Sequence, residues 1–238
     1  MKQNRILYED KDIIVCHKPA GIATQTARVG QADMVSELTN YLKSVDANLK
    51  KPLYVGVIHR LDQPVEGILV FAKNKAAAAN LSGQASGDAM KKEYLAIVCG
   101  ENFPQAGELE DYLLKDGKTN TSRIVPPEIK GAKEARLSYE ILKEGPYGTA
   151  LARIRLYTGR HHQIRVQMAD AGMPLLGDRK YAGEAAAALS LRLGVREIAL
   201  CAYQLEFTHP KTGKRMQFEI EPEGMAFQKM KTEWIERG

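Results

Sequence analysis

No stretch of this 238-residue chain is apolar over the length of a bilayer span, which excludes a helical membrane anchor. The opening residues Met-Lys-Gln-Asn-Arg lead to the charged run Glu9-Asp10-Lys11-Asp12 without an apolar core, which excludes a signal peptide. A soluble protein of the cytoplasm is therefore expected. Cysteine is scarce. Cys16, Cys99 and Cys201 lie in separate apolar, strand-like runs, and an odd count without paired spacing suits reduced, buried thiols better than a disulfide framework. Cys-x-x-Cys and His-Glu-x-x-His spacings are missing too, so no zinc or other metal site is expected. His161 and His162 are adjacent rather than a helical turn apart, which predicts that their side chains diverge. There is no internal repeat, low-complexity tract or linker in the sequence.

What is present is an ordinary globular composition, 44% hydrophobic and 26% charged, in a chain long enough to bury a real core. A net charge of +5 leans towards a partner that carries phosphates, although the cationic run 211–215 reads as a solvated hairpin tip. Residues 6–18 read as a hairpin around the polar turn 9–12, ending in the turn Lys18-Pro19-Ala20-Gly21. Residues 32–43 have helical spacing in Met34, Val35, Leu38, Tyr41 and Leu42, with Asp33 and Glu37 in the first turns. Residues 75–81 are Ala-rich and helical, and 82–87 are expected to loosen into a loop. Strands are predicted over 91–100, 109–114, 122–125, 134–142 and 149–157. In the last, Ala150, Ala152, Ile154 and Leu156 alternate with Leu151, Arg153, Arg155 and Tyr157, giving one covered face and one that carries arginines. Helices over 162–172 and 184–194, a hairpin over 198–220 and a helix opening at Pro222-Glu223 complete the chain. The simplest architecture is a single α+β domain over residues 1–238, with much antiparallel pairing.

The densest chemistry lies in residues 57–74. Two apolar runs, Val57-Ile58 and 68–72, flank a turn that carries His59, Arg60, Asp62, Gln63, Pro64, Glu66 and Gly67. The second run is short, continuous and rich in β-branched and aromatic residues, the pattern of a buried strand. Its polar residues therefore belong on a loop at the rim of a sheet, where reactive groups tend to be placed. From this window alone, Arg60 and Asp62 could be a structural ion pair or a site. Strand-like alternation puts both on one side of the backbone, with Leu61 turned to the core.

Several blocks in order resemble the RluA-type pseudouridine synthases. His59-Arg60-Leu61-Asp62, followed by Gly67 and a strand ending Ala72-Lys73, is similar to that family's active-site motif. Lys92-x-Tyr94-Leu95-Ala96 resembles its tyrosine strand. The stretch from Thr158-Gly159-Arg160-His161-His162-Gln163-Ile164-Arg165 through Gly172-x-Pro174 to Gly177-Asp178-x-x-Tyr181 resembles its third signature. Lys18-Pro19-Ala20-Gly21 and His209-Pro210 match smaller blocks. The resemblance runs from about residue 6 to 222 and implies one catalytic domain with a bent, mixed, mostly antiparallel sheet flanked by helices and loops. Lys18-Pro19 comes too early to leave room for an S4 RNA-binding domain, so a catalytic domain alone is expected. Glu66 stands where the family usually has Ser or Thr, and Gln167 and Met173 where it commonly has histidines.

The resemblance implies an isomerase that converts specific uridines in structured ribosomal or transfer RNA to pseudouridine, as a monomer, with no cofactor or metal. That reaction needs one ionised carboxylate near C1′ and C2′, acting as a nucleophile or as a base, and the sequence leaves both routes open. By resemblance Asp62 is that carboxylate, Arg165 its cationic partner, and Tyr94 the ring that stacks on the base and helps remove the C5 proton. Arg60 resembles the arginine that enters the space left by the extruded base. His59, Arg160 and Lys18 are candidate RNA contacts, against default readings of a loop-bracing imidazole and solvated charges. Gly67 and Gly159 read as glycines needed for backbone conformation. Two other classes compete: a non-catalytic RNA-binding or RNA-folding protein on the same scaffold, and a glycoside or nucleoside hydrolase using Asp62 and Glu66 as a carboxylate pair.

Overall fold

The computed structural model describes residues 5–26, 30–45 and 53–236; residues 1–4, part of the stretch read above for a signal peptide, lie outside them. The fold is α+β, and its contacts divide the chain into two compact units. One holds the residues up to Lys91 together with Ala202–Glu221, the other Lys92–Cys201 and the residues from Pro222 onward.

In the first unit, β1 (Ile6–Glu9) and β2 (Ile13–Lys18) form the expected antiparallel hairpin. Asp10 makes its turn, since Oδ1 accepts the N–H of both Asp12 and Ile13 at 2.8 Å. Burial raises the Asp10 carboxyl's pKa, but these bonds and His209 outweigh it and hold the group below the usual carboxylate range. His209 Nδ1 accepts from the N–H groups of Lys211 and Thr212, so Nε2 carries the proton and donates to Asp10 Oδ2 at 2.8 Å. The small His209-Pro210 block thus ties the turn after β10 (Leu200–Thr208) to the turn before β2.

β2 and its antiparallel partner β4 (Glu66–Ala72) are buried at every position. A continuous apolar run therefore does mark a strand covered on both faces. One face meets Ala77, Leu81, Met90, Leu205 and Phe207. The short β3 (Gly56–Val57) pairs with the far end of β4, and β11 (Arg215–Glu219) with β10. Helix α1 (Met34–Val45) buries Met34, Leu38 and Leu42, one stripe at helical spacing. Asp33 caps it through the N–H of Ser36 at 2.7 Å.

Helix α2 (Lys75–Ser86) is capped by Asn74, whose Oδ1 accepts the N–H of Ala77 at 2.9 Å. It does not end at Leu81 as its composition predicts. Gln84 Oε1 accepts the N–H of Thr208 at 2.8 Å, while Gln84 Nε2 donates to the Thr208 carbonyl at 2.7 Å. This backbone-like pairing with a distant strand holds the last turn helical, a contact that local sequence does not contain.

The second unit is an antiparallel ladder in the order β5 (Lys91–Cys99), β9 (Thr149–Leu156), β8 (Lys133–Gly145), β6 (Ala106–Asp116), β7 (Thr121–Ile124). The alternation in β9 holds: Ala150, Ala152 and Ile154 are fully buried while Arg153 is exposed. Helices α3 (Gln163–Asp170), α4 (Gly183–Arg192) and α5 (Met225–Glu236) complete it. The last begins three residues later than Pro222 suggests, because the Pro222 carbonyl is taken by Gln228 Nε2 at 2.8 Å instead of by a helical N–H.

Gly67, the second residue of β4, has φ +143°, and a Cβ there would meet Ala202 Cβ at 2.5 Å and its backbone N and O at 2.6 Å. Backbone and strand contact both demand glycine, as its sequence position suggests. Gly67→Ala should cost about 3 kcal/mol or more of unfolding free energy, measured by urea denaturation. An unchanged midpoint would refute this close approach of β4 to β10.

Candidate active site

Asp62, Arg60, His59 and Lys18 belong to the first unit; Tyr94, Arg165 and Arg160 belong to the second. In the first, the loop between β3 and β4 is held by bonds from outside itself. The Thr24 hydroxyl, 3% exposed, donates to the Leu61 carbonyl at 3.0 Å and accepts the Leu61 N–H at 3.1 Å. Gly21 N–H donates to the Gln63 carbonyl at 2.9 Å, and Gln63 Nε2 returns a bond to the Gly21 carbonyl at 3.0 Å. Val65 N–H closes a turn on the Asp62 carbonyl at 3.0 Å. Leu61 is buried, Arg60 exposed and Asp62 half-buried, which is the alternation read from the sequence. His59 is half-buried and its Nε2 accepts the Val70 N–H at 3.4 Å, so the ring braces the loop against β4.

Lys18 is not at the surface. Its side chain has no exposed area, and Nζ donates to the carbonyls of Pro19 at 3.0 Å, Ile22 at 2.6 Å and Gln63 at 3.1 Å. The expected phosphate contact is thus corrected: the ammonium holds the Asp62 loop from beneath. Burial pushes its pKa down to about 8, with the charges of Asp62 and Glu66 working against that fall. Glu66, the departure from the family pattern, is 4% exposed. One oxygen lies 3.7 Å from Nε2 of the buried His17. Glu66 therefore sits among buried partners, and its charge acts on Lys18.

In the second unit, Tyr94 is 6% exposed on β5, opposite Ile154. Arg165, on α3, is 5% exposed and makes a two-pronged bond to Asp178, Nε to Oδ2 at 2.7 Å and Nη2 to Oδ1 at 2.6 Å. Asp178 Oδ1 also accepts the N–H groups of Lys180 and Tyr181. The Arg165 guanidinium carbon stands 5.0 Å from the centre of the Tyr181 ring. Tyr181 in turn accepts the Ser122 N–H at 2.8 Å and lies 2.7 Å from His162 Nδ1. Burial, then the charge of Arg165, pushes His162 down to about 3, so the ring is neutral, and its Nδ1 shares one hydrogen bond with the Tyr181 hydroxyl.

The two histidines do not diverge. His162 has left-handed backbone, φ 56° and ψ 23°, at the start of α3, and this turns its ring onto that of His161, with centres 3.7 Å apart and planes at 26°. His161 is held between the Ser122 hydroxyl at 2.9 Å and Asn120 Oδ1 at 3.1 Å. Arg160 is exposed, with Nε on the Glu134 carbonyl at 2.7 Å. Gln163 Oε1 accepts from the Thr158 hydroxyl at 2.8 Å and from Arg160 N–H at 3.0 Å, while its amide donates to the Arg136 carbonyl at 3.1 Å. Gln167 and Met173, the other two departures, are core residues at 1% and 3% exposure. The Gln167 amide binds Asp111 Oδ2 and the carbonyls of Leu109 and Ala135, joining α3 to β6 and β8.

Sequence reasoning did not name Thr24 or Asp178 as supports. Asp178 at least stood inside a quoted block; Thr24, 37 residues from the backbone it clasps, left no local signal. A cavity of about 730 Å³ in the second unit, lined in part by Cys99, Tyr147, Leu189 and Arg192, is elsewhere. It reaches β5 five residues beyond Tyr94, roughly 16 Å along the strand. Among the described residues, no group of three or more His, Cys, Asp or Glu side chains is placed to hold a metal, and no helix is long and apolar enough to cross a membrane.

Lys18 gives the Asp62 loop a pH signature. Its pKa of about 8 in the folded protein lies below the 10.5 of a free lysine, so between these values the unfolded chain binds more protons. The stability of the protein relative to its Lys18→Met variant should therefore rise as pH climbs from about 8 to about 10.5, by up to about 3 kcal/mol. Urea titrations across that window check it; a flat difference would mean the ammonium is not buried.

The model of the RNA pseudouridylate synthase family matches residues 12–170, more than half of the chain. The chain is 34% identical over 215 residues to the dual-specificity RNA pseudouridine synthase RluA of Escherichia coli, covering 90% of this chain and 91% of that protein. It is 32% identical over 217 residues to ribosomal large subunit pseudouridine synthase C of Haemophilus influenzae, covering 91% and 64%. To an uncharacterized RNA pseudouridine synthase of Aquifex aeolicus it is 33% identical over 222 residues, covering 91% and 68%. The chain thus spans about two thirds of the length of these last two relatives. Human RNA pseudouridylate synthase domain containing 4 shares the fold, with a TM-score of 0.78 over 98% of this chain and 93% of that one at 23% identity. RNA pseudouridine synthases are isomerases, and by the family match and these identities the chain belongs to the RNA pseudouridine synthase family.

Proposed function

We propose that the protein isomerises specific uridines in structured ribosomal or transfer RNA to pseudouridine, with Asp62 as the catalytic carboxylate. The observation that carries the reading is the clasped loop. Thr24, Gly21 and Lys18 fix the backbone on both sides of Asp62 and leave its side chain half-exposed, as a preorganised reacting group requires. The family match, residues 12–170, runs through both compact units, which supports a single catalytic domain. Similarity to the ribosomal large subunit synthase of Haemophilus influenzae favours ribosomal RNA, and a net charge of +5 suits a polyanion. The same reading has the protein acting in the cytoplasm as a monomer, without metal or organic cofactor.

The chemistry breaks the C1′–N1 bond, turns the base and forms a C1′–C5 bond; the proton lost at C5 is matched by one gained at N1. Asp62 acts at the sugar, either on C1′ as a nucleophile or on a C2′ proton as a base. Tyr94 stacks on the base and assists at C5, and Arg165 supplies the counter-charge; both roles are carried over residue by residue from the family motifs. The exposed Arg60 fills the gap left by the base, and the exposed Arg160 meets the backbone. His59 and Lys18 serve by holding the loop.

Asp62→Asn should lower tritium release from C5-labelled uridine RNA at least about a thousand-fold, with folding and most RNA affinity kept. Turnover close to wild type would overturn the assignment, and no release by the wild-type protein would favour a non-catalytic RNA-binding protein.

Arg60→Ala should impair a structured RNA loop far more than an unstructured oligonucleotide with the same uridine, whose base is already unstacked. Rates on both substrates, with 2-aminopurine beside the target to follow unstacking, test this. Equal losses would assign Arg60 to the chemistry or the fold.

A further inference from the structure

Three cationic side chains in the described residues are buried: Lys18, Lys92 and Arg165. Lys18 has three carbonyls, and Arg165 has the carboxylate of Asp178. Lys92 is 8% exposed, and among the described residues its ammonium has neither a hydrogen-bond acceptor nor a charged partner. Burial alone acts on it, lowering its pKa with no carboxylate opposing the fall. An uncompensated buried charge is costly, so a fold that keeps one has a use for it or a ligand for it.

A second observation shows where that ligand would come from. Gly159, expected to be glycine for its backbone, does not have a φ in the left-handed region, so its conformation is open to other residues. What its missing side chain leaves open is Lys92. A Cβ at Gly159 would have Lys92 Nζ, at 3.9 Å, as its one neighbour within 4 Å. Gly159 itself is exposed, so the ammonium lies directly beneath uncovered backbone. Thr158 and Arg160 on either side are tied to Gln163 Oε1, which holds this opening in shape. Lys92 and Tyr94, two residues apart on β5, point to the same face of the strand.

We propose that Lys92 binds a phosphodiester oxygen of the RNA substrate through the gap that Gly159 leaves, two residues along β5 from Tyr94. The proposal rests on RNA being the substrate, as argued above. A phosphodiester is the anion that every RNA brings, and a lysine ammonium meets it as a point charge without the paired geometry an arginine requires. Exposed lysines and arginines contribute to RNA affinity one counterion each; Lys92 differs in being largely buried without a partner among the described residues, so that its anion supplies one.

The test uses the full chain and a 5′-fluorescein-labelled heptauridylate, with affinity followed by anisotropy between about 50 and 200 mM salt. Lys92→Met should weaken binding and reduce the slope of log K against log salt by about 0.7, the loss of one contact to single-stranded RNA. Lys92→Arg should restore part of both. Gly159→Glu places a carboxylate over the ammonium and should reproduce the loss, whereas Gly159→Ala should not. The Gly159→Glu, Lys92→Met double variant should bind no worse than Lys92→Met. The melting temperature of Lys92→Met should not fall, since the variant removes an uncompensated charge; if it does fall, Gly159→Glu leaves β5 intact and decides the matter. An unchanged slope and affinity in both Lys92→Met and Gly159→Glu overturns the proposal. Asp62→Asn separates the two readings. If it keeps the slope and loses isomerisation while Lys92→Met binds normally, only the Lys92 assignment falls. If Asp62→Asn still isomerises, only the catalytic assignment falls. No binding of the oligonucleotide by the wild-type protein overturns the Lys92 assignment alone, since tritium release from C5-labelled RNA decides the catalytic one.

Discussion

A lysine with no exposed surface holds the Asp62 loop in place. The Lys18 ammonium is surrounded by the carbonyls of Pro19, Ile22 and Gln63 and by the charges of Asp62 and Glu66. Each carbonyl belongs to a turn that could otherwise adopt several conformations, and one cation with three donors fixes them together. The buried strand β2 makes this possible by delivering Lys18 at its last position, opposite Gly67 at the start of β4. Pro19 and Gly21 then bend the chain around the charge. The position of Asp62 follows from that packing, and the Thr24 hydroxyl adds a second anchor on Leu61.

The second unit reaches the same end by another device. Arg165 is locked by Asp178, and Asp178 is itself locked by backbone N–H groups, so the guanidinium cannot swing. Tyr181 links that pair to His162 and to Ser122 on β7. A buried polar network of this sort is favourable only when every member is satisfied, and it then specifies one arrangement of helix, loop and hairpin. A neutral His162 suits it, since a charged ring next to Arg165 would repel.

The three departures from the family pattern acquire distinct meanings. Glu66 supplies negative charge to a buried cluster containing His17 and Lys18. Gln167 uses its amide to join α3 to two strands, and Met173 fills core. None of the three replaces a residue to which chemistry is assigned.

Much of this was legible in the sequence because it depends on short-range rules. Period-two and continuous apolar runs marked the strands, helical spacing marked α1, and the turn residues around Asp62 marked a loop at a sheet rim. Leu61 turned inward, with Arg60 and Asp62 together on the other side, followed from alternation alone. Tertiary structure decided what depended on distant partners. The last turn of α2 exists because Gln84 pairs with Thr208, 124 residues away. His161 and His162 stack because a left-handed backbone, which adjacency in sequence does not reveal, turns one ring over the other. Lys18 is buried because Gln63, 45 residues later, brings it a carbonyl, whereas Lys92 is buried with no acceptor among the described residues. A lysine's charge can be read from sequence, but its solvation cannot, because burial is set by whichever segments pack over it.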